Sequence, residues 1–507
     1  MCGILGVIGD IDPDKFNKCL GKIKSRGPDS TKTTTRDGIT MGINRLAVNG
    51  SERSAEQPFS NDTITTVCNG EIFNHGDLEK KYSYAPRSSS DCEVLVPHLE
   101  LGGTPTEICN SLDAEFSLIS YNSKTRKVLV ARDPYGVRPL FWGRTLEGGF
   151  AFASELKAIY TICDHVTQFN PGWYMELDCS HQDVKFIYAK YRKEISIQKS
   201  KNVLPNIANI LEKAVKKRLM CENGGVCCLL SGGLDSSLIA ALANKNSPRP
   251  IHTFSIGMSG SPDLRYAREV SSWIGSVHHE VCLEAQEFCE AIPEVIKAIE
   301  SYDVTTVRAS VGNYLVAKYI RENTDFTVVL NGDYSDEVTG GYLYMKMAPD
   351  YQEFHQECLR LVDNIHFFDS LRSDRTICAW GLEARTPFAD KEFVEYYLSV
   401  DPKITSPKDA IGKFALREAF RGTGLLPDSV LNRKKEAFSD GISPADNSWH
   451  NIVHDYLIQL GHPSEEHAYR AMFSKFYRHH DNVIPYKWMP KYCDAKDPSA
   501  RNLEIYT

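Results

Sequence analysis

Short apolar runs separated by turn residues dominate the first part of the chain, at residues 3–8, 39–48, 63–67, 116–121, 127–131 and 149–152. β-Branched and aromatic side chains, with Gly, Asn and Asp at the boundaries, predict strands at these places. Helical spacing predicts helices over 13–24 and 92–101. Many strands with few helices make a layered α+β unit. The polar run YRKEISIQKSKN, beginning at Tyr191, then breaks the pattern. Beyond it, a long helical stretch over 203–220 leads to a compact apolar run at 226–230, a glycine-rich turn and another helix. Further buried strands are expected at 251–256 and 326–330, with helical stretches between them. That order predicts a parallel α/β sheet followed by a helix-rich remainder. The expected units are residues 2–190, a linker over 191–203, and residues 204–507.

Composition narrows the class without changing this layout. The 507 residues are 42% hydrophobic and 24% charged, an ordinary globular balance. A chain of this length buries ample apolar surface without disulfide staples. Lys+Arg 58 against Asp+Glu 66 gives a net charge of −8, which argues against a general nucleic-acid or anionic-membrane binder. No apolar run approaches the roughly 20 residues of a membrane-spanning helix. The first apolar run lacks a basic flank and soon meets Asp10 and Asp12, against a secretory signal. The 15 cysteines are odd in number and form no C-x-x-C pair. They read as the reduced thiols of a cytoplasmic protein, not as a disulfide framework or a zinc site.

Candidate chemistry begins at Cys2. If Met1 is removed, thiol and free α-amine belong to one residue. The amine's reference pKa of about 7.7–8.0 leaves part of it neutral near pH 7, able to take the thiol proton. Alone, such a cysteine is incidental. It is followed in order by Arg26-Gly27-Pro28-Asp29, Arg45-Leu46, Asn69-Gly70-Glu71-Ile72-Phe73-Asn74, Ser90-Asp91-Cys92-Glu93, Ala131-Arg132-Asp133-Pro134-Tyr135-Gly136 and Ala153-Ser154-Glu155-Leu156-Lys157.

This series resembles the class II glutamine amidotransferases with an N-terminal nucleophile, over nearly all of residues 1–190. The resemblance implies a four-layer N-terminal-nucleophile sandwich. It also implies Cys2 as nucleophile, with the Asn69 amide and the Gly70 N–H as oxyanion donors. Arg45 would hold the glutamine carboxylate through a bidentate pair. Glu71 and Asp91 would hold its ammonium, and Leu46, Ala47, Val48 and Asn49 would complete the pocket. Taken singly, Asn69-Gly70 reads as a β-turn and Arg45 as a surface ion pair. Arg26 and Asp133 read as structural.

A second constellation, Leu229-Leu230-Ser231-Gly232-Gly233-Leu234-Asp235-Ser236-Ser237, joins a strand to a helix start, where backbone N–H groups and the helix dipole favour an anion. It lacks the Lys-Ser/Thr ending of a Walker A loop and the spacing of a dinucleotide fingerprint. It resembles the PP-loop of ATP pyrophosphatases. A phosphate-rich transition state calls for magnesium and cations. Asp235 and Asp336 are candidate Mg²⁺ ligands, and Arg308 and Lys413 candidate charge neutralisers.

With Tyr302-Asp303-Val304-Thr305-Thr306-Val307-Arg308, Ser335-Asp336-Glu337-Val338, Trp380-Gly381-Leu382-Glu383-Ala384-Arg385, Arg433-Lys434-Lys435-Glu436 and the tail Asp497-Pro498-Ser499-Ala500-Arg501, the chain resembles the glutamine-hydrolysing asparagine synthetase family almost end to end. The resemblance implies that aspartate is activated by ATP to β-aspartyl-AMP and captured by ammonia passed along an enclosed path. A homodimer is also implied. ATP would be held by Leu230, Ser231, Gly232, Gly233, Asp235, Ser236, Ile256, Asn331 and Gly332, and aspartate by Asp336 and Glu337. Asp333, Arg308 and Lys413 would be catalytic.

Where the family has Ser-Gly-Glu-Gly-Ser-Asp-Glu, this chain has Asn331-Gly332-Asp333-Tyr334-Ser335-Asp336-Glu337. Asp333 shortens a carboxylate arm, and a misplacement of about 1 Å can cost about a hundredfold in rate. Tyr334 puts a ring where glycine usually stands, crowding the substrate or altering the turn. Three enzyme readings stay open on the sequence: an asparagine-forming amide ligase, a glutaminase with an impaired second site, and an altered-acceptor ligase like the β-lactam synthetases. A non-catalytic interaction protein has no chemical need for Cys2, Asn69, SGGLDSS and Lys413 together. Amidophosphoribosyltransferases share the first unit, but SGGLDSS points elsewhere.

Overall fold

The computed structural model describes residues 1–181, 183–407 and 412–499, so Ala500 and Arg501 of the tail motif lie outside the described residues. The N-terminal part holds two six-stranded antiparallel sheets. In the first, the strand Gly3–Ile8 lies between Ile39–Arg45 and Phe150–Ala153. In the second, Ile64–Ile72 pairs with Ala114–Asn122. Side-chain alternation explains the layering. Ile4 and Ile8 point into a core shared with Val67, Ile119 and Val130 of the other sheet. Leu5 and Val7 point outward to Phe16 and Leu20 of the helix Pro13–Gly21. A Cβ on Gly6 would meet Ile119 Cδ1 at 2.8 Å, so glycine lets the two sheets close there. With the helix Leu95–Leu101 on the outer face of the second sheet, the result is a helix–sheet–sheet–helix sandwich of four layers.

Residues 191–202 carry no regular secondary structure. The second part is built on a five-stranded parallel sheet, in the order Val277–Cys282, His252–Gly257, Val226–Leu229, Val328–Leu330, Glu383–Arg385, surrounded by helices. The chain runs outward in both directions from Val226–Leu229. In such sheets the crevice at the carboxyl ends of the strands, where the order reverses, is the place for a ligand. No helix among the described residues is long and apolar enough to cross a membrane.

The two parts meet across a seam of buried charges. Arg26, Arg138, Arg218, Arg375 and Arg385 are each at most 1% exposed, which a guanidinium tolerates only when paired. Arg26 reaches Glu155 and Asp374, both at 2.7 Å. Arg375 pairs with Glu300, which also accepts the N–H groups of Leu156 (2.9 Å) and Lys157 (2.7 Å). Glu115 takes Arg138 at 3.0 Å and Arg218 at 2.7 Å, and Arg218 also holds Asp390 at 2.7 Å. Arg385 pairs with Glu383 at 2.7 Å and with Glu71 at 3.3 Å. Burial alone would push the Glu155 carboxyl up, but Lys157, Arg26 and Arg375 together hold it well below the carboxylate range.

Arg26→Ala strands Glu155 and Asp374 in the interior without this cation. Breaking a buried pair in this way costs about 3–5 kcal/mol. The variant should therefore show a clearly lowered midpoint in thermal unfolding. Lys15→Ala, which removes the exposed Lys15–Glu147 pair, should leave the midpoint where it is.

Candidate active sites

Cys2 stands at the edge of the strand Gly3–Ile8, and its backbone N–H donates to Asn69 Oδ1 at 2.9 Å. Asn69 is fully buried, and its Nδ2 has no partner. An unpaired buried amide is costly, and a developing oxyanion would satisfy it. Gly70 follows because no other residue fits: a Cβ there would lie 2.1 Å from Glu115 O. Burial pushes the Cys2 thiol up, while the chain's terminal ammonium, the Leu46 backbone and Arg45 pull it down. That ammonium, on Met1, sits 2.9 Å from Glu383.

The glutamine-pocket residues expected from the sequence gather beside Cys2. Arg45 donates to Asn49 O at 2.9 Å and to Gly50 O. Asn49 Nδ2 donates to Glu71 Oε2 at 2.9 Å, and Asp91 Oδ2 accepts the Ile72 N–H at 2.7 Å. Burial, with Asp91 and Glu383 adding to it, pushes Glu71 well up, and burial raises Asp91. Arg385, 3.3 Å from Glu71, and Arg138 pull that carboxyl back down. Leu46 and Val48 are buried, and the Ala47 N–H donates to Asp29 Oδ2 at 2.7 Å. The second part clamps the same loop, since Asn223 Nδ2 donates to Ala47 O at 3.0 Å and Glu222 accepts the Gly50 N–H at 2.9 Å.

The second site is a cavity of about 190 Å³ at the carboxyl ends of the parallel strands, and Leu230, Ser231, Gly233, Asp235, Ser236 and Ile256 line it. Gly233 caps the helix Leu234–Asn246. Gly232 takes φ +70° and packs so closely on Tyr266 that a Cβ would sit 2.4 Å from its Cβ. A Cβ on Gly332 would lie 2.7 Å from Ser236 N, so glycine lets the loop over 331–337 press onto the turn. Lys413 Nζ lies 2.6 Å from both Asp235 and Asp336, and Ser335 Oγ donates to Asp235 at 2.8 Å. Lys435 Nζ lies 2.5 Å from Asp336. Burial alone would raise Asp336, yet Lys413 and Lys435 hold it well below the carboxylate range. Asp336 in turn lifts Lys435 above the usual lysine range against its burial. Glu337 is pushed well up, by burial first and then by Asp369 and Asp336.

Asp333 reaches Arg372 at 2.6 Å, and its Oδ2 is buried without a hydrogen-bond partner. Asn331 Nδ2 donates to Ser373 Oγ at 2.7 Å. Tyr334 does not follow an ordinary turn. It holds φ +73°, a conformation that costs a non-glycine residue about 1–2 kcal/mol. Its hydroxyl donates to Ser370 Oγ at 2.7 Å.

Arg308 is placed apart from the other candidates. Along the helix Val304–Asn323, residues Thr305, Ala309, Asn313 and Val316 line the cavity, whereas Arg308 faces another way. Its guanidinium is taken up by Glu465, by Asp497 at 2.9 Å and by His450 at 2.6 Å. Those charges come from distant segments that the local motif does not reveal. The cations that line the cavity are Lys413, Lys434, Lys435, Arg417, Arg433 and Arg372. Of these, only Lys413 was singled out from the sequence. The basic run Arg433-Lys434-Lys435 was the available signal for three more.

The family model for asparagine synthase matches residues 206–352 and 346–496, and that for the glutamine amidotransferase domain matches residues 1–195. The asparagine synthetase [glutamine-hydrolyzing] of Cricetulus griseus is 38% identical over 562 residues, covering 100% of this chain and 99% of the relative. That of Gallus gallus is 39% identical over 564 residues, with the same coverage. The probable asparagine synthetase [glutamine-hydrolyzing] of Acanthamoeba polyphaga mimivirus is 37% identical over 554 residues, covering 100% of both chains. Two sites of different chemistry on one chain, with likeness over its whole length, place it plainly: the chain belongs to the glutamine-hydrolysing asparagine synthetase family.

Proposed function

We propose that the chain is a carbon–nitrogen ligase that hydrolyses glutamine at Cys2 and uses the ammonia, with ATP and aspartate, to make asparagine, AMP and pyrophosphate. With Met1 removed, the Cys2 nitrogen becomes an amine beside the thiol and can accept its proton. The thiolate attacks the glutamine amide carbon. The oxyanion forms against Asn69 Nδ2 and the Gly70 N–H, and ammonia leaves with the transferred proton as a thioester forms. Water then releases glutamate. Arg45 would face the substrate carboxylate, and Glu71 and Asp91 its ammonium.

At the second site, a β-carboxylate oxygen of aspartate attacks the α-phosphorus, and the bond to the β-phosphate breaks. The departing pyrophosphate suits the Ser231–Ser236 turn, where backbone N–H groups open a helix. Lys413 and Lys435 neutralise charge on the phosphates, and Asp333 and Glu337 orient the amino-acid substrate. Ammonia then displaces AMP from the acyl carbon. Asp235 and Asp336 offer the hard oxygen donors that magnesium takes. In the structure Lys413 Nζ bridges these two carboxylates, and Gly341 admits it there: a Cβ at that position would lie 1.9 Å from Lys413 Cε and 2.0 Å from Asp336 Oδ1. Magnesium bound there would supply further neutralisation of phosphate charge. Fifteen cysteines, all free, are consistent with a reducing cytoplasmic setting. Units over 2–190 and 204–507 joined by the segment 191–203 fit the unstructured stretch between the sandwich and the parallel sheet.

The observation that carries this reading is the cluster of Asp235, Asp336, Lys413 and Lys435 at the carboxyl ends of the parallel sheet, in one chain with the Cys2–Asn69 pair. Supplied with glutamine, aspartate and magnesium ATP, the protein should yield asparagine, glutamate, AMP and pyrophosphate in equal amounts. Glutamate without asparagine or AMP would leave a glutaminase alone. Cys2→Ala should abolish synthesis from glutamine while retaining synthesis from ammonium salts. Lys435→Met should slow pyrophosphate release about 10²–10³-fold and leave glutamine hydrolysis intact.

A further inference from the structure

Tyr334 spends backbone strain at a position where glycine would be free of it. A strained residue held at an active-site loop points to a task for its side chain. Its neighbours Asp333, Ser335, Asp336 and Glu337 all line the cavity. Its own side chain is 1% exposed, and its hydroxyl reaches Ser370 Oγ at 2.7 Å and Tyr135 O at 3.4 Å. Ser370 Oγ in turn donates to Gly136 O at 2.7 Å. Tyr135 and Gly136 belong to the amidotransferase part.

The turn that Tyr334 grips is rigid. Asp133 accepts the N–H groups of Tyr135 (3.1 Å), Val137 (3.0 Å) and Arg138 (2.9 Å). Arg132 donates to Gly136 O at 3.0 Å and Arg138 O at 2.7 Å. Arg138 continues to Glu115 at 3.0 Å, and Glu115 lies on the strand that pairs with Gly70 and Glu71. A short chain of fixed groups therefore runs from the oxyanion strand to the acid loop. Tyr334 is its last link.

We propose that Tyr334 is a positioning residue that holds the acid loop against the glutaminase turn, so that ammonia released at Cys2 is delivered to the acyl adenylate and not lost. The inference rests on the synthetase reading above. It concerns transfer between the sites, not the chemistry within either of them.

The test compares the wild type with Tyr334→Phe, Ser370→Ala and the double variant. Asparagine and glutamate are quantified with glutamine as nitrogen source, and asparagine again with saturating ammonium. Loss of one tethering hydrogen bond should raise glutamate formed per asparagine by about two- to tenfold, with ammonium-driven synthesis unchanged. The double variant should do no worse than either single one, because both remove the same link. If the ratio stays at the wild-type value, or if the glutamine- and ammonium-driven rates fall by the same factor, Tyr334 is only a packing residue and the proposal fails. A wild type that makes no asparagine even from ammonium would overturn the synthetase reading itself, and the transfer proposal with it.

Discussion

The seam of buried arginines and carboxylates between the two parts constrains everything else in the structure. Buried ion pairs add little net stability, because the desolvation of two charges consumes much of their attraction. What they do impose is register. Arg26 has two carboxylates to satisfy, Glu115 two guanidiniums, and Arg385 one carboxylate from each part. Sliding one part over the other by a bond length or two would leave several charges unpaired in a dry interior. One docking geometry is therefore strongly preferred, and with it one placement of Cys2 relative to the cavity on the far side. An enzyme whose intermediate is a small neutral base needs that fixity, since ammonia at neutral pH is mostly ammonium and is lost once it meets water.

The seam also explains what could and could not be read from the sequence. Strands that bury continuous apolar runs, such as Gly3–Ile8 and Ala114–Asn122, stood out to within a few residues. Ser30–Arg36 did not, because it lies at a sheet edge with every residue at least partly exposed and carries threonines in place of an apolar face. Val277–Cys282 is an edge strand of the parallel sheet, written in histidines and a glutamate. Glu383–Arg385 is the most instructive case. It is entirely buried, yet two of its three residues are charged. Its counter-charges, Glu71, Arg138 and the terminal ammonium, lie more than two hundred positions away. Local pattern cannot identify a strand whose burial depends on charges from another part of the chain.

The sites divide in the same way. The candidates that motif and spacing mark, namely Cys2, the Asn69-Gly70 pair, the Ser231–Ser236 turn and the Asp336-Glu337 pair, each sit within one local segment. Arg308 stands off the cavity lining because its motif fixes the helix but not its phase. One residue further along, at Ala309, the helix faces the cavity, and successive residues differ by about 100° around the axis. Arg308 is consequently committed to Glu465 and Asp497, supplied by segments near the end of the chain. Lys435 shows the converse. Nothing in its own surroundings separates it from Lys434, and only the folded placement of Asp336 selects it.

The departures in the acid loop are best understood together. Asn331, Asp333 and Tyr334 each differ from the family's usual run, and each meets the same helix, Asp369–Cys378. Asn331 bonds Ser373, Asp333 pairs with Arg372, and Tyr334 bonds Ser370. The shorter arm of Asp333 is thus met by a guanidinium at 2.6 Å and is not left to wander in the cavity. The strained backbone of Tyr334 is balanced by a buried ring and a hydroxyl contact. The same helix carries Asp374 and Arg375, which close on Arg26 and Glu300 in the seam. One face of it therefore receives the acid loop while the next turn anchors the amidotransferase part. The loop's changed residues thus rest on a helix that the seam itself fixes in register. The loop's unusual residues make that constraint reach the cavity.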